Sequence, residues 1–223
     1  MSDPVLLFHG LGRGAASMRP MARSLARAGY APHVVGYPST RHPVAALVER
    51  FVAPEVDRLL GGGAERVHFV THSLGGILVR AFAAARADAG RPLPDGSRAV
   101  FLAPHHAGSP VADALHARWP VSRMLGPALA ELTTDAASVP LALGPVRGVE
   151  AGVIAGTRRI VPFNHLFESD NDGNVSVESA FGVDGLADTV VVARSHALLM
   201  RAPDVIALTL AFLKTGRFRA DAP

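Results

Sequence analysis

The chain has 223 residues, 49% of them hydrophobic, which is enough to bury a sizeable core and excludes a disordered chain. With 22 basic and 19 acidic residues the formal charge is +3, and the absence of cysteine excludes disulfides, thiolate metal sites and a cysteine nucleophile. The arginines are scattered singly among acids, with only Arg158 and Arg159 adjacent, so no basic stripe for nucleic acid emerges.

Met1-Ser2-Asp3-Pro4 leads at once into an apolar strand, Val5–Phe8. A basic leader and a small-residue cleavage site are missing, so no signal peptide is read and a cytoplasmic location is expected. No apolar run approaches the roughly 20 residues that span a bilayer. The strand runs into His9-Gly10-Leu11-Gly12-Arg13-Gly14, whose glycines let backbone come close to a ligand. Gly10-x-Gly12-x-x-Ala15 also fits a loose dinucleotide fingerprint. That fingerprint needs an acid about 20 positions on, and Val34-Val35-Gly36-Tyr37-Pro38 has none.

Met18, Met21, Leu25 and Ala28 form a helical stripe, with Gly29 suited to the position after the helix. A strand is expected at His33–Gly36. Leu47, Phe51, Val52, Val56, Leu59 and Leu60 form a second stripe, which Pro54 should kink or break.

A strand at Val67–Val70 then stops at Thr71-His72-Ser73-Leu74-Gly75-Gly76, and a helix-compatible run begins at Ile77. Strand, sharp turn and helix are the pattern of a nucleophile elbow, which would expose the Ser73 hydroxyl for covalent catalysis. Thr71 stands where that motif usually has glycine, which is tolerable if the helix stands slightly further off. The alternative is that Ser73 is only a helix N-cap. His72 is expected to buttress the turn rather than ionise, and His9 to hydrogen-bond the loop after the first strand.

The fourth strand, Arg98–Leu102, is followed by His105 and His106, which can line a cleft but lack zinc-site spacing. Residues 108 to 148 break the rhythm with Trp119, several prolines and short helical patches. One crossover helix plus a small cap, or an ordinary long connection, would account for them. Strands at Gly152–Ala155 and Thr189–Ala193 follow, and a last helix from about Pro203 to Lys214. Alternating strands and helices imply a doubly wound α/β fold with ligands beyond the carboxyl ends of the strands.

A serine nucleophile needs a base and an orienting acid, in chain order Ser, Asp or Glu, His. His196 is the histidine that follows the last strand. Asp170, Asp172 and Asp188 compete for the acid, and Asp172 is preferred because its loop leaves the Gly152–Ala155 strand and Gly173 permits the turn. Asp188 lies at the amino end of the last strand. Glu168, Asp170, Asp172 and Gly173 also mimic the start of a calcium loop, but position 12 is Ser179 and not glutamate. No cofactor and no metal is therefore expected.

His9-Gly10-Leu11, Thr71–Gly76, Asn171-Asp172-Gly173-Asn174-Val175-Ser176-Val177-Glu178 and Ser195-His196 stand in the order found in α/β-hydrolases. The chain resembles lipase- and esterase-like members, in particular small bacterial ones related to the GPI inositol-deacylase-like group. Gly36-Tyr37-Pro38-Ser39 and Ala103-Pro104-His105-His106-Ala107-Gly108-Ser109 share the resemblance, which spans Val5 to about Leu213. It implies a minimal α/β-hydrolase fold of about six mostly parallel strands with helices on both faces. The first two strands of the full fold would be lacking, and 1–223 would be one domain with a cap segment at about 108–148. Small non-glycine residues at the position of Thr71 also occur in lipase-like members.

The resemblance further implies a Ser73–Asp172–His196 triad, an acyl-enzyme, and an oxyanion hole from the backbone N–H groups of Leu11 and Leu74. Gly10, Leu11, His72, His105 and Leu198 are expected around the substrate, a small-molecule ester, lipid-like esters included. The expected activity is carboxylic-ester hydrolysis, falling at acid pH as the imidazole protonates. An acyltransferase or thioesterase with the same triad, and a non-catalytic binding module on the same fold, are the alternatives. Oligomeric state and acyl chain length are not legible.

Overall fold

Unbroken apolar runs become strands with side chains packed on both faces. A computed structural model describes residues 2–159 and 163–219. Its strands are β1 (Pro4–Phe8), β2 (Ala31–Val35), β3 (His68–His72), β4 (Arg98–Leu102), β5 (Glu150–Gly156) and β6 (Asp188–Val192). They form one parallel sheet in the order β2-β1-β3-β4-β5-β6. Leu6, Phe8, Phe69, Phe101 and Val153 face one helical layer, while Val5, Leu7, Val70, Val100 and Ile154 face the other. Two buried faces explain why these strands lack polar alternation.

The helices are α1 (Arg19–Arg27), α2 (Val44–Leu47), α3 (Ala53–Gly61), α4 (Leu74–Asp88), α5 (Pro110–His116), α6 (Trp119–Leu125), α7 (Pro127–Ala130), α8 (Val139–Ala142), α9 (Val177–Phe181) and α10 (Pro203–Thr215). Met21 and Leu25 of α1 and Val205 and Phe212 of α10 pack on one face. Leu47, Val56, Leu78, Leu129 and Ala180, from α2, α3, α4, α7 and α9, pack on the other. The chain therefore has the expected α/β architecture. Strand order reverses at β1, so the crevice beyond β1 and β3 is the switch point where such sheets bind ligands.

Three expectations shift. The second strand begins at Ala31, not His33, because Ala31 pairs with Pro4; Pro32 is tolerated on an edge strand, where no second neighbour needs its N–H. The last strand is buried on one face only: Val190 is 9% exposed and Val191 43%, since β6 is the other edge. Pro54 does not break its helix. A π-helical turn at Val48–Val52 joins α2 to α3, with the Ala53 N–H reaching back to the Val48 carbonyl. The wider turn absorbs the missing Pro54 donor and the ring's clash with the preceding turn.

Residues 108 to 148 form four short helices rather than one crossover helix. Each has proline in its first two positions, where a missing N–H is harmless but a longer helix cannot continue through it. Among the described residues no helix is long and apolar enough to cross a membrane.

Candidate active site

Ser73 sits between β3 and α4 with φ 55° and ψ −123°, a conformation costly for any non-glycine residue. Its N–H donates to the Leu102 carbonyl at 2.9 Å and its carbonyl accepts from the Gly76 N–H at 2.9 Å, which holds the turn. Its side chain caps nothing. The N-cap alternative is therefore not realised, and the hydroxyl is left for the cleft. Leu74 opens α4, so its N–H has no acceptor within the helix.

Close approach explains the glycines. A Cβ at Gly75 would lie 2.7 Å from the Phe8 carbonyl oxygen. One at Gly10 would lie 2.9 Å from His72 Nδ1 and 3.0 Å from Ser73 Cβ. One at Gly76 would lie 3.3 Å from Thr71 Oγ1 and 3.2 Å from Pro104 Cβ. The second helical glycine thus supplies room beside the threonine that replaces the strand-side glycine, and α4 still packs against the sheet. Thr71 Oγ1 is buried without a protein partner. Thr71→Val should therefore fold as well as wild type and gain about 1 kcal/mol, because an unmade hydrogen bond is removed at constant shape. Urea unfolding of the two proteins checks this, and a loss of stability would contradict it.

The loop after β1 is propped by Gly36–Ser39. The Gly12 N–H donates to Ser39 Oγ at 3.1 Å, and the Tyr37 hydroxyl donates to the His9 carbonyl. The His9 ring stacks on Tyr37 at 4.1 Å, and its Nδ1 donates to the Gly10 carbonyl at 2.9 Å. No protein acceptor meets the Leu11 N–H among the described residues.

Asp172 is held by its own loop. Its Oδ1 accepts from the Asn174 and Val175 N–H groups at 3.0 and 2.8 Å, and its N–H donates to the Val175 carbonyl at 3.1 Å. Gly173 makes the reversal at φ 101°. Oδ2 is left for His196 Nδ1, 2.8 Å away, and the His196 N–H donates to the Asp172 carbonyl at 3.0 Å. Both partners are buried. Asp170 is exposed, 3.7 Å from Arg159, and Asp188 accepts from the Thr189 and Phe218 N–H groups at the amino end of β6.

His72 Nε2 donates to the His196 carbonyl at 2.9 Å, so a third hydrogen bond fixes that residue. Burial, reinforced by the nearby His196 and Arg13 charges, keeps the His72 ring neutral and well below the ordinary histidine range. Burial pushes His105 down to about 3, and its ring stands edge-on to His196 at 6.0 Å. Gly10, Leu11, His72, Ser73, His105 and His196 all line one cleft of about 410 Å³, roofed by apolar residues of the 108–148 segment such as Leu115, Leu125, Leu129 and Leu132. Leu198 is different: it is 43% exposed and is not among the residues lining this cleft. His196 lies inside a turn closed by the Leu198 N–H donating to the Ser195 carbonyl.

Two arginines go beyond the sequence reading. Arg80, on the apolar run of α4, is buried, bonded to the Gly144 carbonyl and 3.2 Å from His106 Nδ1. Arg13 lines the cleft. Among the described residues no group of three or more His, Asp or Glu could hold a metal ion, and both Asp172 oxygens are already engaged.

No protein-family model and no curated protein matches the chain. Solved structures do. The chain is similar to the Bacillus licheniformis lipase BlEst2 in mature form, at 16% identity and a TM-score of 0.71, over 95% of this chain and 92% of that one. It is similar to the phospholipase PlaB from Legionella pneumophila, at 16% identity and 0.71, over 96% of this chain but only 61% of that one. It is also similar to a structure of the metagenome-derived lipolytic enzymes LipS and LipT, at 20% identity and a TM-score of 0.60, over 95% of this chain and 93% of that one. At these identities the likeness shows the fold: the chain has the α/β-hydrolase fold.

Proposed function

We propose that the chain is a serine hydrolase that cleaves carboxylic esters, with Ser73 as nucleophile, His196 as base and Asp172 as orienting acid. One observation carries the reading. A serine in a strained turn, its hydroxyl uncapped, shares a cleft with a histidine whose Nδ1 is hydrogen-bonded to a buried carboxylate. Asp172 keeps the proton on Nδ1 and so leaves the Nε2 lone pair as the base.

His196 Nε2 takes the Ser73 proton as Oγ attacks the ester carbonyl. The N–H groups of Leu11 and Leu74 receive the oxyanion, a contact made only as charge develops. Collapse of the tetrahedral intermediate expels the alkoxide, which takes the proton from Nε2. Water, deprotonated by the same nitrogen, then attacks the acyl-enzyme and releases the acid. Gly10 permits the loop to reach the serine, while Leu11 and His105 shape the cleft. The 108–148 segment acts as a cap that contributes its apolar roof, and the fold's similarity to lipases and esterases fits an ester or lipid-like substrate. Leu198, outside the cleft lining, has no part in this scheme.

Purified protein should hydrolyse p-nitrophenyl butyrate without added cofactor, and Ser73→Ala should lower kcat by about 10⁴-fold or more. Equal rates for the two proteins would defeat the proposal.

A further inference from the structure

The cleft beside Ser73 has an unusual charge balance. Its lining includes the apolar side chains of Leu11, Leu115, Leu125, Leu129 and Leu132, and no carboxylate. Arg13 is the one lining residue with a permanent charge. Five other arginines, Arg58, Arg86, Arg98, Arg147 and Arg194, each lie within 3.1 Å of a carboxylate. The Arg13 guanidinium meets no protein hydrogen-bond acceptor or carboxylate among the described residues.

Its placement is built. The Arg13 N–H donates to the Gly10 carbonyl at 3.2 Å, and the preceding Gly12 is tied to Ser39 Oγ, so the loop carrying it is braced. The side chain is partly buried, and this desolvation holds the guanidinium below arginine's ordinary value. A cation half removed from water with no counter-charge carries an uncompensated cost, which an incoming anion would offset. Nothing catalytic in the proposed reaction needs a cation there, since the oxyanion donors are backbone N–H groups.

We infer that Arg13 is a specificity-determining residue that selects amphiphilic esters carrying one anionic group, a carboxylate or a phosphate, beside a hydrocarbon part. The inference rests on the hydrolase reading for its chemistry, because the anion would be part of the molecule whose ester bond Ser73 attacks. The anion could belong to either end of the ester. On the acyl side it is a carboxylate at the far end of a dicarboxylic half-ester. On the alcohol side it is a phosphate on the leaving group.

Two matched substrate pairs separate these sources. One is p-nitrophenyl butyrate against the p-nitrophenyl half-ester of glutaric acid. The other is 1-butyrylglycerol against 1-butyrylglycerol 3-phosphate. The readout is the kcat/KM ratio of anionic to neutral substrate, for wild type, Arg13→Lys and Arg13→Gln. For one pair the ratio should fall about tenfold from wild type to Arg13→Gln, as expected for losing a charge-assisted hydrogen bond in a partly wet site. Arg13→Lys should retain part of the preference. A purely structural role would lower both members of a pair alike and leave the ratio in place. An unchanged ratio in both pairs overturns the inference.

Calorimetric titration with glutarate and with glycerol 3-phosphate separates this inference from the hydrolase reading. Binding by wild type that is lost in Arg13→Gln would uphold anion recognition even if no ester were cleaved. Ser73-dependent hydrolysis with an unaltered ratio would uphold the hydrolase and refute the role of Arg13. Neither hydrolysis nor Arg13-dependent binding would refute both.

Discussion

Asp172→Asn is expected to lower kcat for p-nitrophenyl butyrate by about 10⁴-fold while KM changes little. The two carboxylate oxygens have separate tasks, which makes the substitution informative. Oδ1 accepts the Asn174 and Val175 N–H groups and shapes the loop; asparagine keeps that oxygen. Oδ2 accepts from His196 Nδ1 at 2.8 Å; asparagine places an amide NH₂ there. The NH₂ repels an Nδ1–H and accepts nothing, so the proton moves to Nε2 and the base is lost. The fold should survive, because the His196 N–H still reaches the Asp172 carbonyl. Asp170→Asn is the matched control. Its side chain is 75% exposed and pairs only distantly with Arg159, so activity should stay within a factor of about two. Comparable losses in the two variants would mean that the acid has been misassigned.

Stability should fall steeply below about pH 6.5, ahead of the acid unfolding typical of carboxylates. His72, His105 and His106 are all buried, and burial is the leading reason each sits far below the ordinary histidine range, His105 at about 3. Like-charge neighbours add to it: His196 for His72 and His105, and Arg80 for His106. In the unfolded chain each ring titrates near about 6.5. Between that value and the lowered folded ones, the unfolded chain binds protons that the native state refuses. Stability is therefore complete above pH 6.5 and is lost as pH falls. Each ring contributes about 1.4 kcal/mol per pH unit, so three give about 4. Against a typical total of about 5–15 kcal/mol, unfolding is expected about one to four pH units below 6.5. Urea titrations from pH 8 to pH 4 measure the slope directly. His105→Phe, which cannot protonate, should reduce the slope by about one proton. A flat profile down to pH 4 would show that these rings are not held neutral by burial. Circular dichroism at each pH separates this unfolding from any loss of activity in the folded protein.

Much of the architecture was legible because it is local. Apolar runs of Val, Leu and Phe marked all six strands, and the Met18–Leu25 stripe marked α1. Strand edges slipped where the deciding partner was distant: β2 starts where Ala31 meets Pro4, and β6 is half exposed because no strand lies beyond it. Pro54 signals a disturbance of its helix from the sequence alone. Whether it would break the helix depended on a π-helical turn that residue periodicity does not encode.

The candidate site divides in the same way. The turn at Ser73 and the glycine-rich loop after β1 follow from small residues at the end of an apolar run, a short-range pattern. The choice between Asp170 and Asp172 does not. The two differ by one turn of one loop, and the difference is contact with His196, 24 residues further on. Likewise Gly76 makes room for Thr71, Leu198 stays outside the cleft lining, and Arg13 is part of it. Residue order along the chain carries the periods that make strands and helices. Backbone conformation responds to neighbours a few positions away, so that information is local. Which oxygen meets which nitrogen, and which arginine lines the cleft, depends on distances between segments that only packing brings together.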